Sequence, residues 1–182
     1  RFRNVTGVQT CALPILSTLD PSINTAAIAI NVYNNIFDTL TKIEADGSVA
    51  PMLALSWQIG DQAKVWTFKV RGDVKFHDGS PLTVDDVIWT YEKIRADAKS
   101  PVRPYLAAVT QIEKVGTDSI RFTLNTPFIT FDRQVTLVSV LPQKAYTEMG
   151  AEKFSVQPVG SGPYRVVQWV KDSMIDRKST RL

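Results

Sequence analysis

His77 is the side chain in this sequence that most invites a chemical role, because it is the only histidine among 182 residues and stands beside Asp78. A metal site usually needs three or four donors, and the chain offers no second histidine. A nucleophilic triad needs a base beside a serine or threonine, and no Gly-x-Ser-x-Gly motif accompanies His77. We therefore expect His77 to be an exposed turn residue without a metal-binding or catalytic role.

The acidic residues that could act as paired catalytic carboxylates have structural explanations instead. Thr83 is followed three residues later by Asp86, which predicts a capping box at the start of a helix. Asp85 and Asp86 also favour the positive end of that helix dipole. Glu44 and Asp46 flank a predicted turn. The sequence thus shows no convincing catalytic constellation, and we expect neither enzymatic activity nor a cofactor.

A glycine-rich stretch at Pro158–Trp169 (PVGSGPYRVVQW) could be mistaken for a phosphate-binding loop. It lacks the lysine and the Gly-x-x-x-x-Gly-Lys spacing of such loops. Gly160 and Gly162 predict a backbone geometry that other residues reach only at a cost.

The longest informative stretch is Trp66–Tyr91, and it predicts two strands followed by a helix. Trp66, Phe68 and Val70 alternate with polar residues, as in a half-buried strand. Val74 and Phe76 continue the alternation and predict a second short strand. The helix is expected to begin after Thr83, with Leu82 and Val87 as a hydrophobic staple.

Other segments predict further helices and hairpins by their periodicity and turn residues. The expected elements are a helix over Ile23–Leu40, a hairpin turn at Asp46–Gly47, a hairpin formed by Gln111–Val115 and Ser119–Asn125, and a helix over Pro142–Met149 that ends at Gly150. For Phe128–Leu141 the pattern does not decide between helix and strand.

The stretch WTFKVRGDVKFHDGSPLTVDDV resembles the signature of the family 5 extracytoplasmic solute-binding proteins, roughly W-T-F-x-L-R-x-x-V-K-F-x-D-G-x-P-(L/V)-T-A-x-D-V. It departs from that pattern at Val70 and Val84, both conservatively. The segments VAPMLALSW and PVGSGPYRVVQW also resemble family segments. The resemblance covers nearly all of Leu19–Trp169.

This resemblance implies a mixed α/β (α+β) fold of the periplasmic binding protein type, class II, of which the chain holds a part. Residues 16–37 are expected to start lobe I. Residues 38–145 would form an inserted smaller lobe of antiparallel strands and helices, and residues 146–175 would return to lobe I. The second large lobe, with much of the ligand's wall, is expected to lie outside this chain.

The resemblance also implies a function. The chain is expected to be the substrate-binding component of an ABC transporter that captures di- or oligopeptides, or a similar small solute, outside the cytoplasmic membrane. The expected partners are the ligand and the permease subunits. We expect a periplasmic or extracytoplasmic monomer that binds no nucleic acid and meets the membrane only through the transporter or a lipid anchor. The alternatives are an oligosaccharide or metal-chelate binder, a sensory receptor of the same fold and, less favoured, a hydrolase.

Three residues are candidates for ligand binding. In nickel-binding relatives, cleft-facing aromatic positions fall by pattern on Phe37 and Tyr105, although simple core packing explains each equally well. Asn34 lies on the predicted helix and either faces solvent or lines a cleft. The corresponding arginine position falls near Val138–Ser139, where this chain has none, and that departure counts against a nickel chelate.

Both ends of the chain resemble translated sequencing adapter. We expect residues 1–15, which include VTGVQTCALPI, and residues 176–182, DRKSTRL, to be artefacts rather than native sequence. Leaving out their five basic residues and one acidic residue changes the totals of 21 and 18 to 16 and 17, so the net charge falls from +3 to −1. Cys11, the only cysteine, is removed with them. The apparent basicity therefore gives no support to nucleic-acid binding.

Overall fold

Two hydrophobic clusters organise the part of the chain that the computed structural model describes, residues 16–171 and 174–180. The larger cluster gathers buried residues between Leu40 and Val140. The smaller one combines residues from Leu19 to Phe37 with residues from Leu141 onwards. Of the two segments expected to be artefacts, 1–15 and 176–182, residues 1–15 and 181–182 lie outside the described residues, whereas residues 176–180 lie within them.

A four-stranded antiparallel sheet supports the larger cluster. The chain first forms a separate hairpin from Thr41–Ile43 (β1) and Val49–Pro51 (β2). The sheet then begins with Ala54–Gly60 (β3) and Val65–Val70 (β4). Val109–Val115 (β5) and Ser119–Leu124 (β6) complete the sheet in the order β3-β4-β6-β5. This confirms the predicted turn at Asp46–Gly47 and the predicted β5–β6 hairpin.

The register of the sheet explains why its core is aromatic. Trp66 on β4 lies opposite Phe122 on β6, and Phe68 lies opposite Ile120. All four side chains are fully buried, because residues two apart on a strand share one face. Burial of four such large side chains supplies roughly 1.5–3 kcal/mol each, so this face contributes substantially to the stability of the larger cluster.

Helix α2, Val84–Ala96, covers that aromatic face, and its predicted capping box is confirmed. The backbone N–H of Thr83 donates to Asp86 Oδ2 at 2.9 Å, and Thr83 Oγ1 accepts from the Asp86 N–H at 3.4 Å. The staple residues Leu82 and Val87 are both buried in the larger cluster. Tyr91 packs edge-on against Phe122 with ring centroids 4.9 Å apart.

The predicted second strand at Val74 and Phe76 is wrong. Only an isolated bridge between Lys75 and Pro81 forms there. The reason is a tight turn in which Asp78 Oδ1 accepts hydrogen bonds from the N–H and the hydroxyl of Ser80. The chain reverses so soon that no extended pairing partner remains.

Helix α1, Ala27–Ile36, is shorter than the predicted Ile23–Leu40. Asn24 Oδ1 accepts a hydrogen bond from the Ala26 N–H, which holds the preceding residues in a turn. The helix stops because Phe37 adopts an extended conformation, with φ −121° and ψ 154°. Its carboxyl end therefore becomes the point at which the chain leaves the smaller cluster.

The segment that the sequence left undecided, Phe128–Leu141, contains the short helix α3, Phe131–Gln134, and one turn of 3₁₀ helix, Val135–Leu137. Helix α4, Gln143–Phe154, follows. The predicted end at Gly150 is only partly right, because the helix bends at that residue, where φ is +77°, and then continues. Strands β7, Tyr164–Val170, and β8, Met174–Ser179, form the last hairpin.

A buried carboxylate ties the start of the smaller cluster to α4. Asp20 is fully buried and accepts a hydrogen bond from the Tyr146 hydroxyl at 2.8 Å. Its other oxygen accepts from the N–H and the hydroxyl of Ser22. Burial, together with the nearby Asp20 charge, raises the pKa of Tyr146 and keeps its phenol a donor. A buried charge with these partners is tolerated because each oxygen is satisfied.

In the part of the chain that the structure describes, the backbone passes between the two clusters twice, and the two passages are hydrogen-bonded to each other. The N–H of Val140 donates to the carbonyl of Asp38 at 2.9 Å. Thr90 of α2, itself fully buried, secures the second passage. Its hydroxyl accepts from the Leu141 N–H at 3.0 Å and donates to the Asp86 carbonyl at 2.8 Å.

Replacing Thr90 by valine should therefore destabilise the protein although the side-chain shape is kept. The Leu141 N–H would be left buried without its acceptor, at a cost of about 1–3 kcal/mol in the free energy of unfolding. Thr90→Ser, which keeps the hydroxyl and loses one methyl group, should cost only about 0.8 kcal/mol. Urea unfolding followed by circular dichroism compares the two, and a valine variant as stable as the serine variant would contradict this account.

Candidate functional site

A recess of about 340 Å³ lies between the two clusters, beside the first passage of the chain. Tyr33 and Phe37 enter its lining from the smaller cluster, and Val102 and Tyr105 enter from the larger one. Concave surfaces between structural units are common ligand sites. The full lining comprises Pro21, Asn24, Thr25, Ile30, Tyr33, Asn34, Phe37, Thr39, Lys42, Ile43, Met52, Val102, Tyr105, Thr136, Leu137 and Ser139.

The structure brings all three predicted ligand-binding residues to this recess. Asn34 is exposed on α1, and Tyr105 is half-buried in the 3₁₀ turn Arg103–Leu106. Phe37 is only 1% exposed and packs between Tyr33 and Phe154, at centroid distances of 6.4 and 6.2 Å. Phe37 therefore shapes the floor of the recess mainly as a core residue. Contact between a ligand and Asn34, Phe37 or Tyr105 remains a prediction.

No sequence motif predicted several of the polar groups in the lining. Of the described residues around the recess, Lys42 alone carries a formal charge, and its ammonium lies 2.6 Å from Glu44 Oε1. Thr39, Thr136 and Ser139 add hydroxyl groups. They come from two separated segments, residues 39–42 and 136–139, so only the fold brings them together. Ser139 lies close to where the arginine of nickel-binding relatives was expected.

Tyr33 contributes an aromatic wall whose hydroxyl is already engaged. The hydroxyl donates to the carbonyl of Thr18 at 3.0 Å. Burial raises the pKa of Tyr33, and the charge of Asp20 raises it further. The phenol thus stays neutral and fixes the wall of the recess rather than acting as a base.

Gly160 and Gly162 lie directly against the end of α1, next to Phe37. A Cβ atom on Gly160 would lie 1.9 Å from the carbonyl oxygen of Ile36, and one on Gly162 would lie 2.7 Å from its carbonyl carbon. The Gly162 N–H donates to that same oxygen at 2.9 Å. Neither glycine has a positive φ. The prediction of an unusual backbone geometry was therefore wrong, and close approach of two backbones is the reason for both glycines.

His77 is half-buried, so the prediction of an exposed histidine was wrong. Its backbone N–H donates to the Gly160 carbonyl at 2.8 Å, and its ring contacts the backbone of Gly160 and Gly162. Burial is the main cause that lowers the pKa of His77, with Arg165 acting in the same direction. The hydrogen bond to Gly162 and the charge of Asp38 oppose that shift. The turn was predicted correctly, but its packing partner lies more than 80 residues away.

Within residues 16–171 and 174–180, no group of three His, Cys, Asp or Glu side chains is placed to hold a metal ion. Both ring nitrogens of His77 face backbone groups of the glycine segment rather than a serine or threonine hydroxyl. The same described residues contain no helix that is both long and apolar enough to cross a membrane. The described lining of the recess combines aromatic, aliphatic and neutral polar groups with one lysine.

The model of the bacterial extracellular solute-binding proteins, family 5 (middle), matches residues 48–178. The periplasmic oligopeptide-binding protein OppA of Escherichia coli is 31% identical over 182 aligned residues, which cover 88% of this chain and 33% of that protein. The chain spans about a third of the length of the curated relatives it matches.

Solved structures show the same likeness. Bacillus subtilis AppA, an oligopeptide-binding protein in complex with a nonapeptide, matches with a TM-score of 0.83 and 25% identity, over 90% of this chain and 34% of that one. MoaA from Agrobacterium tumefaciens R10, in complex with mannopinic acid, matches with a TM-score of 0.82 and 28% identity, over 91% and 35% of the two chains.

Alanine at Gly160 should disturb the recess and the fold together. Its Cβ would meet backbone atoms of Ile36, which cannot yield as a flexible side chain does, so we expect a loss of about 2–4 kcal/mol in the free energy of unfolding. Gly72→Ala is the matched control, because an added Cβ there meets no atom within 4 Å. That control should change the free energy by less than about 0.5 kcal/mol. Equal stability of the two variants in urea unfolding would contradict the proposed close packing.

Proposed function

Since the chain belongs to the family 5 bacterial extracellular solute-binding proteins, we propose that it forms part of the substrate-binding component of an ABC transporter and captures di- or oligopeptides. The observation that carries this proposal is the recess between the two clusters, which gathers Asn34, Phe37 and Tyr105 in one lining. A relative with a bound nonapeptide shares the fold of nine-tenths of this chain.

The chemistry of the lining suits a peptide backbone. Peptide N–H and C=O groups need neutral donors and acceptors, and the Asn34 amide with the hydroxyls of Thr136 and Ser139 offers both. Aromatic surface from Tyr105 and a floor formed by Phe37 suit side chains of varied shape. Lys42 is paired with Glu44, so a ligand carboxylate would compete with that side chain for the lysine ammonium. Neutral polar groups of this kind would bind the main chain of a peptide and discriminate little between its side chains.

We propose that the chain acts by binding alone, without catalysis. The ring of His77 is occupied by backbone contacts, and the acidic pair Asp85 and Asp86 serves α2 and its neighbours. Asp85 pairs with Lys114, and Asp86 closes the capping box. None of these groups lines the recess, so the site holds no described group poised to activate a nucleophile.

The proposed setting is periplasmic or extracytoplasmic, where the protein would work as a monomer that delivers its ligand to permease subunits. The name of the Escherichia coli relative places that protein in the periplasm. In two-lobed binding proteins, closure around a hinge buries the ligand between both lobes. Residues 16–37 and 146–175 would belong to lobe I and residues 38–145 to the inserted lobe, so this chain supplies one wall of such a cleft.

The isolated chain should therefore bind a short peptide weakly but at a defined place. With one wall present, we expect trialanine to bind with a Kd on the order of 1 mM. Titration of ¹⁵N-labelled protein should shift the amide signals around Asn34, Phe37 and Tyr105 before others. Asn34→Ala should weaken binding about two- to tenfold, because one hydrogen-bonding side chain is removed.

Asn31→Ala is the matched control, since Asn31 is exposed on the same helix but does not line the recess. That variant should bind trialanine as the parent does. Shifts that cluster away from the recess, or equal effects of the two variants, would argue against the site. Shifts at the recess with mannopinic acid and none with trialanine would instead favour a non-peptide solute, such as the mannopinic acid bound by the structural relative MoaA.

A further inference from the structure

The ring of His77 is held in one protonation state by two backbone contacts that agree with each other. The Gly160 N–H faces Nδ1 at 3.3 Å, so Nδ1 must accept. Nε2 lies 2.9 Å from the Gly162 carbonyl oxygen, so Nε2 must donate. Both requirements are met by the neutral imidazole with its proton on Nε2 and by no other form.

Protonation of Nδ1 would place two donors face to face. The added proton would point at the Gly160 N–H, so this contact could not survive. The neutral form of His77 is therefore the one that matches the glycine segment. A glutamine could make the same pair of contacts, because its amide carries one acceptor and one donor group and does not titrate.

The contacts of His77 lead directly to the recess. His77 holds Gly160 and Gly162 through three hydrogen bonds, counting its backbone N–H. Gly162 in turn donates to the carbonyl of Ile36, the last residue of α1, and Gly160 approaches the Phe37 ring. His77 itself does not line the recess.

We propose that neutral His77 is a positioning residue, which holds the glycine segment against the end of α1 and so fixes Phe37 at the floor of the recess. Protonation of His77 loosens that segment and weakens ligand binding. The part of the proposal that concerns ligand binding rests on the proposed function. The part that concerns the position of Phe37 stands on the geometry alone.

The charged groups around His77 act in both directions. Asp38, after α1, and Asp78, in the same turn, favour the imidazolium, whereas Arg165 on β7 opposes it. Lys75 and Lys178 line the shallow recess in which the ring lies and add positive charge. Burial is the largest influence and lowers the pKa of His77. Because the folded form then binds fewer protons than the unfolded form, this contribution to stability is complete above about pH 6.5 and is lost as the pH falls below it.

The experiment is a pH titration of the unliganded protein by NMR, in which the single histidine of the sequence gives one unambiguous ring signal. We expect the Nε2–H tautomer at neutral pH and a midpoint below the ordinary value of about 6.5. The amide signals of Phe37, Gly160 and Gly162 should move with that same midpoint. A ring that titrates at the ordinary value, or a Phe37 amide that does not follow it, would overturn the proposal.

Two variants separate positioning from mere packing. In His77→Gln the Phe37 amide should stay near its parental neutral-pH position and lose its pH transition. In His77→Ala it should be displaced at every pH. A glutamine variant that resembles the alanine variant would overturn the proposal, and if neither variant folds, the titration of the parent protein still decides.

The affinity for trialanine shows whether protonation of His77 changes ligand binding. Its end groups titrate near pH 3.5 and pH 8, so its charge is constant around pH 5–7. The Kd of the parent protein should rise about three- to tenfold as the pH falls through the His77 midpoint, and that of His77→Gln should stay constant. A Kd that is independent of pH in the parent would overturn the coupling. If trialanine does not bind at all, the peptide function fails, while the ligand-free titration still tests the positioning role.

Discussion

The approach of the Gly160–Gly162 backbone to the carbonyl of Ile36 is the constraint on which the rest of the described structure depends. The two backbones lie so close that there is no room for a single Cβ between them. This contact joins the end of α1 to the segment that leads into β7, and His77 attaches the turn before α2 to the same place. Three distant parts of the sequence therefore meet at one point beside the recess.

This junction explains how two clusters can hold one binding surface. Each cluster has its own core, and within residues 16–171 the chain passes between them twice, through paired segments near Asp38 and Val140. The junction adds to other contacts between the clusters, such as the hydrogen bond from the Ser100 hydroxyl to the Ser22 carbonyl and the packing of Trp89 on Tyr146, and so restrains the hinge-like turning of one wall of the recess relative to the other. The wall formed by α1 and the wall that carries Tyr105 therefore keep a fixed position relative to each other. Less binding free energy is then lost in ordering these walls when a ligand binds.

Local sequence patterns predicted the elements of the larger cluster well. Features that depend on contacts between distant residues could not be predicted in this way. The alternation around Phe68 and the capping box at Thr83 depend on neighbours within a few residues, so the sequence displays them directly. The burial of His77 could not be predicted, because its partner segment lies more than 80 residues away. Phe37 and Tyr105 were reached through family resemblance, and the fold places both at one recess. The role of Lys42 depends on the course of β1 past that recess, for which no motif exists.

If this recess is one wall of a peptide-binding cleft, a spin-labelled tripeptide should bind in it, and NMR of the labelled complex can locate that binding. Paramagnetic relaxation falls steeply with distance, so a bound label broadens only nearby amide signals. We expect broadening around Asn34, Lys42 and Tyr105, with the exposed end of the β5–β6 hairpin near Gly116 unaffected. Uniform broadening, or broadening centred on another surface, would contradict it.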